Sequence, residues 1–107
     1  MGTENIALTE AVYYILLSLS SDPRHGYGIM QNVESLSKGR VHLAAGTLYG
    51  AINTMIEKGW ICAVGEHTGR KKEYVITASG YNVLQGELER LRELVSNGED
   101  IIGGGQK

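Results

Sequence analysis

At 107 residues with 42% hydrophobic and 21% charged side chains, the chain has the composition of one globular domain, which excludes an intrinsically disordered protein. So short a chain buries only a thin core alone, so association with a second copy is favoured on size. The formal net charge of −2 excludes a uniformly basic chain, and the single cysteine excludes a disulfide framework and fits a reducing cytoplasm.

Taken in chain order, Met1–Leu8 is polar and lacks the basic and apolar segments of a secretory signal. Thr9 is a good N-cap and Glu10 complements a helix dipole, so a first helix is predicted over Ala11–Leu19. Almost every position in it is apolar, yet the run Ala11–Leu17 is too short to span a bilayer, so no membrane partner is expected. A helix apolar all round must be covered all round. Ile15, Leu16 and Leu19 suit the chain's own core, which leaves Val12, Tyr13 and Leu17 for a second subunit.

Asp22-Pro23-Arg24 stops this helix, because proline cannot continue it. A second helix follows with Ile29, Val33 and Leu36 at i, i+4 and i+7 as a buried stripe. Lys38-Gly39-Arg40 ends it. A third helix is predicted over about Ala45–Lys58, with Leu48, Ile52, Met55 and Ile56 inward and Thr47, Gly50, Asn53, Thr54 and Glu57 outward. That outer face is short and polar. It suits a helix lying in a DNA major groove, and it equally suits an ordinary solvated surface.

Gly59 caps the third helix, and Trp60–Val64 and Glu73–Thr77 have the composition of strands. Between them, Gly65–Lys72 is a polar loop with Arg70, Lys71 and Lys72 at or near its tip. Trp60 and Cys62 are expected in the core. Thr77 suits the N-cap of a last helix over about Ala78–Ser96. There Tyr81, Leu84, Leu88, Leu91 and Val95 recur at the 3, 4 spacing of a helix-pairing seam, flanked by Glu87, Glu89, Arg90, Arg92 and Glu93. Gly98 is expected to end it, giving one domain over 1–97 and a flexible tail over 98–107.

Charge is segregated along the chain. Seven Lys/Arg face three Asp/Glu between Arg24 and Lys72, and acid predominates on either side. Local charge, not net charge, sets attraction for phosphates. No catalytic constellation is present: His25, His42 and His67 have no cysteine or carboxylate at metal-ligand spacing, and no Gly-Lys-Ser/Thr closes a phosphate loop. No enzyme and no cofactor are expected. The fold class is mainly α with a small β-hairpin, a winged helix-turn-helix with N-terminal and C-terminal dimerisation helices.

Three motifs in this order carry a family resemblance: Gly26-Tyr27-Gly28-Ile29, then Leu43-Ala44-Ala45-Gly46-Thr47-Leu48-Tyr49-Gly50-Ala51-Ile52 with Glu57-Lys58-Gly59-Trp60-Ile61, then Gly69-Arg70-Lys71-Lys72-Glu73-Tyr74. From about Leu8 to Leu94 the chain resembles the PadR family of bacterial transcriptional regulators, and the short last helix resembles the small subfamily. The resemblance implies a cytoplasmic homodimeric repressor that binds double-stranded DNA with a two-fold related operator and releases it on binding a small aromatic or planar effector. Tyr27, His42, Thr47, Tyr49, Asn53, Arg70, Lys71 and Lys72 are the expected DNA contacts. Val12, Tyr13, Leu17, Leu84, Leu88, Leu91 and Val95 are the expected dimer interface, with an effector among Tyr13, Leu88 and Leu91. Where the family often has Ser or Thr then Pro before Gly46, this chain has Ala44-Ala45. Where some members of the small subfamily bind drugs between tryptophans on the last helix, it has none, Leu91 standing at the matching place. The alternatives are a winged-helix protein-interaction module that never touches DNA, and a ligand sensor acting through a partner protein.

Overall fold

Thr9 starts the first helix as its side chain allows: its hydroxyl oxygen accepts from the Val12 N–H at 3.1 Å, and α1 runs Glu10–Ser21. The computed structural model describes residues 7–65 and 72–103. After Pro23 come a short strand, β1 (Arg24–His25), then α2 (Gly26–Leu36), α3 (Ala45–Glu57), β2 (Ile61–Val64), β3 (Glu73–Ile76) and α4 (Ala78–Ile102). The strands form one antiparallel sheet in the order β1-β3-β2, with Arg24 opposite Tyr74 and Ile61 opposite Ile76. Thus β3 is the central strand, and the two-residue β1 was not foreseen.

Between α2 and α3 the chain reverses through Lys38 and Gly39, both at positive φ. The Gly39 N–H closes the end of α2 on the Glu34 carbonyl at 2.8 Å. At the end of α3, Gly59 has φ +79° and Trp60 N–H bonds to the Met55 carbonyl at 2.9 Å, the glycine stop expected there.

The core lies where α1, α2 and α3 meet β3 and the start of α4. Ile15, Leu16, Ile29, Val33, Leu48, Ile52, Met55 and Ile61 have essentially no solvent exposure, and Tyr74 and Leu84 join them. Several expectations change. Leu36 and Ile56 are substantially exposed rather than inward: Leu36 is the last residue of α2, and in the last turn of α3 it is Met55, fully buried, that takes the inward position beside Ile56. Cys62 is exposed: successive side chains of a strand face opposite sides, so β2, which buries Ile61, turns Cys62 away from the core. Trp60 is half-buried, with the Lys58 ammonium 5.5 Å from its ring centroid. Tyr81 is 45% exposed and no part of a buried seam, whereas Leu84 is only 5% exposed and belongs to its own chain's core.

α4 continues through Gly98 to Ile102, past the expected stop. Its buried residues are Gly80, Leu84, Gly86 and Glu87, all in the first half. At ~1.5 Å per residue the remaining turns project about 20 Å beyond the core, and the molecule measures 60 × 36 × 21 Å.

Glu87, expected on a solvated flank, is 1% exposed. It accepts from Arg90 Nε at 2.7 Å and Nη2 at 2.9 Å, and from the Leu8 N–H at 3.2 Å, fastening the segment before α1 to α4. The Arg90 hydrogen bonds hold its carboxyl below the ordinary glutamate range against the raising effect of burial, with the Leu8 N–H contributing. Such a group stabilises the fold fully above its unfolded-state pKa, and that contribution is lost as pH falls through the lower folded-state value. Because Arg90 remains partly exposed, Glu87→Gln should cost only about 1.5 kcal/mol at neutral pH. Chemical unfolding measured at several pH values checks this: the two proteins should differ near pH 7 and converge below the ordinary glutamate range. A constant gap at every pH would remove the ionised carboxylate as the cause.

Candidate nucleic-acid interface

α3 divides cleanly into two faces. Leu48, Ile52 and Met55 point into the core, while Gly46, Thr47, Tyr49, Gly50, Asn53 and Thr54 are exposed. The helix starts without a side-chain cap, since Ala44 stands at its N-cap position; the loss relative to Ser or Thr is about 1 kcal/mol. Gly46 and Gly50 are a second cost, roughly 1 kcal/mol each relative to alanine inside a helix. Neither is required by packing within the chain, because a Cβ at either position would meet nothing within 4 Å. The result is a low polar surface on which backbone lies open to a partner. Thr54 bonds back to the Gly50 carbonyl at 3.2 Å, so its hydroxyl proton is engaged.

Beside the first turn of α3 lies a cleft of about 280 Å³ lined by His25, Gly26, Tyr27, Tyr49, Lys72 and Tyr74. His25 caps α2, its Nδ1 accepting from the Gly28 N–H at 3.2 Å. Gly26 leaves room for the Tyr49 ring: a Cβ would lie 2.0 Å from the Tyr49 hydroxyl oxygen, and the exposed tyrosine side chain would have to swing aside. Tyr49 therefore rests across the start of α2. Burial, and secondarily Tyr49, raises the pKa of Tyr74 above that of an ordinary tyrosine, whose hydroxyl is already a donor at neutral pH. The cleft thus joins three phenolic hydroxyls, one ammonium and a helix N-terminus, groups that suit an anionic oxygen.

The expected DNA contacts are only partly brought together. Tyr27, Tyr49 and Lys72 share this cleft; Thr47 and Asn53 lie exposed along α3. His42 is exposed in a neighbouring cleft that also includes Tyr27, with Nδ1 3.4 Å from a Glu34 carboxylate oxygen. Arg70 and Lys71 lie outside the described residues. Two bases counted in the local positive charge are committed within the chain: Arg24 Nε donates to the Ser18 carbonyl at 2.8 Å, and Arg40 pairs with Glu10.

Of the expected dimer residues, Val12, Tyr13 and Leu17 are half-buried against the chain's own core. Leu88, Leu91 and Val95 line a shallow surface groove of about 300 Å³ on α4 with Arg92, Ser96 and Glu99. Tyr13 does not line it; its ring lies 6.3 Å from that of Tyr14. Sequence reasoning missed His25 as a cap and Glu87 as a buried latch. The signal for Glu87 was available, since it falls three residues after Leu84 and three before Arg90.

A helix pair whose second member presents an open polar face, followed by an antiparallel hairpin and a long terminal helix, defines the winged helix-turn-helix fold. Residues 15–86 match the family model described as the transcriptional regulator PadR-like family, and the chain belongs to that family. It is 31% identical over 85 residues to an uncharacterised 37.1 kDa transposon protein of Streptomyces fradiae, covering 79% of this chain and 24% of that protein. It is 30% identical over 77 residues to the transcriptional regulator YqjI of Escherichia coli, covering 72% of this chain and 37% of that protein. The chain therefore spans well under half the length of these curated relatives. The fold is similar to the crystal structure of a PadR family transcription regulator from Clostridium difficile, with a TM-score of 0.75, 20% identity, and coverage of 89% of this chain and 100% of that one. Membership in a family of transcriptional regulators agrees with the reading against an enzyme. No helix among the described residues is long and apolar enough to cross a membrane, and none of their His, Cys, Asp or Glu side chains cluster as a metal site.

Proposed function

We propose that this chain is a cytoplasmic, homodimeric repressor that lays α3 in the major groove of double-stranded DNA at a two-fold related operator and leaves it when a small aromatic effector binds. The observation that carries the DNA reading is the outer face of α3. Gly46 and Gly50 weaken that helix and serve no packing within the chain, so their use is to admit another molecule close to the backbone. Around them Thr47 and Asn53 are exposed, and Tyr27, Tyr49 and Lys72 stand beside the helix start as phosphate contacts. Arg70 and Lys71, which lie outside the described residues, are proposed as further phosphate contacts on the charge of their side chains. A dimer related by two-fold symmetry would set two such helices on successive major grooves.

The test is a gel-shift of the purified protein against its own upstream intergenic DNA. Asn is suited to pair two-pronged with adenine, a contact worth about 1 to 3 kcal/mol of discrimination. Asn53→Ala should therefore narrow the gap between operator and random DNA, and Tyr49→Phe should weaken both equally. Equal loss on both DNAs for Asn53→Ala would make Asn53 a backbone contact. Failure to shift any DNA would favour the protein-interaction reading.

A further inference from the structure

A groove of about 390 Å³ runs between the start of α1 and one flank of α3, sharing no lining residue with the proposed DNA contacts or the α4 surface groove. Its walls are apolar: Ala7, Leu8, Val12, Ala51, Met55 and the half-buried Trp60. Its polar groups are few. The Lys58 ammonium stands 5.5 Å from the Trp60 ring centroid, and Thr9 and Thr54 contribute hydroxyls. Thr9 Oγ1 accepts from the Val12 N–H, which leaves its own proton to donate, and it sits at the positive end of α1.

This combination selects for charge. An apolar trough with an ammonium, a free hydroxyl donor and a helix N-terminus attracts a molecule with one anionic end and an apolar body, and repels a cation. The walls also select for shape. Five of the six are side chains without a ring, and one face of the single ring is taken by Lys58. A flexible chain follows such an irregular trough better than a rigid plate. We infer that this groove binds a medium-chain aliphatic carboxylate, its carboxylate held by Lys58 and Thr9 and its chain laid against Leu8, Ala51, Met55 and Trp60.

The location ties such binding to α3. Ala51, Thr54 and Met55 lie on that helix within one turn of Gly50 and Asn53. The opposite wall is fixed, because Leu8 is fastened to Glu87 of α4. A ligand wedged between the two acts on the tilt of α3.

Trp60 is the chain's only tryptophan, so its fluorescence reports on the groove directly. Titration of the full-length protein with decanoate should give a saturable change in emission. Decylammonium and 1-decanol should bind about tenfold or more weakly, the value of one charge-assisted hydrogen bond. Lys58 is exposed, so Lys58→Gln should fold normally, weaken decanoate about tenfold and leave 1-decanol unchanged. No saturable response to decanoate would overturn the proposal, as the groove would then be closed by a second copy or another segment. Equal binding of decylammonium, or an unchanged decanoate affinity in Lys58→Gln, would overturn it too, by showing a merely sticky surface. Decanoate should also loosen the complex with upstream DNA, and this arm alone rests on the proposed function. Failure to bind DNA at all would overturn that reading and leave the fluorescence result standing. Fluorescence binding with an undisturbed DNA complex would overturn the link to α3.

Discussion

Leu88→Asp is expected to convert the protein to a monomer at micromolar concentration and to abolish tight operator binding with it. Leu88 is 38% exposed in the single chain, on the same projecting stretch of α4 as Leu91 and Val95, and Val95 is 58% exposed. Such a surface remains unfavourable in water until a second copy covers it. An aspartate placed there would be buried without a partner at a cost of about 3 kcal/mol or more, which weakens association roughly a hundredfold. The fold itself should survive, because within one chain the new carboxylate still reaches solvent. Sedimentation velocity beside a circular dichroism spectrum separates the two effects. A dimer that persists in this variant would place the subunit interface elsewhere and take the effector site at Leu88 and Leu91 away with it.

The second large effect is expected at Gly80, in the first turn of α4. A Cβ there would lie 2.0 Å from the Trp60 carbonyl oxygen and 2.9 Å from its carbonyl carbon. Both are backbone atoms, so no side chain is available to swing aside. The same carbonyl oxygen accepts from the Thr77 N–H at 2.9 Å and from the Thr77 hydroxyl at 3.0 Å, and Thr77 Oγ1 in turn accepts from the Gly80 N–H. Relieving the overlap means pulling α4 from the start of β2 and losing these bonds together. Alanine would gain at most about 1 kcal/mol in helix propensity, against an overpacking cost of about 3 kcal/mol or more at an unyielding site. Gly80→Ala should therefore lower the melting temperature by about 10 °C or more. Gly50→Ala is the contrast: with open space around its Cβ, it should raise stability by up to about 1 kcal/mol while weakening DNA binding. An unchanged melting temperature for Gly80→Ala would mean that α4 is not pressed against β2.

Short-range chemistry in the sequence determined the element order and most of the core. Thr9 and Thr77 start helices because a hydroxyl satisfies N–H groups two or three residues ahead, and Gly59 stops one because its φ of +79° suits glycine. Leu48, Ile52 and Met55 recur at helical spacing, so the inward face of α3, and with it the outward face proposed to meet DNA, could be read before any coordinates. Contacts between residues distant in the chain decided the rest. The strand β1 exists because Arg24 and His25 meet Tyr74 and Glu73, some fifty residues away, and two residues carry no strand signal of their own. Glu87 is buried only because Leu8 and Arg90 satisfy it. Cys62 is exposed because the face of β2 that enters the core is the one carrying Ile61, and the next side chain points the other way. Gly98 does not end α4, since glycine permits a left-handed turn without compelling one. The cleft beside the first turn of α3 and the groove on its flank followed the same division. Each gathers side chains from three or more segments, and only the packing of helices against the sheet brings those segments together.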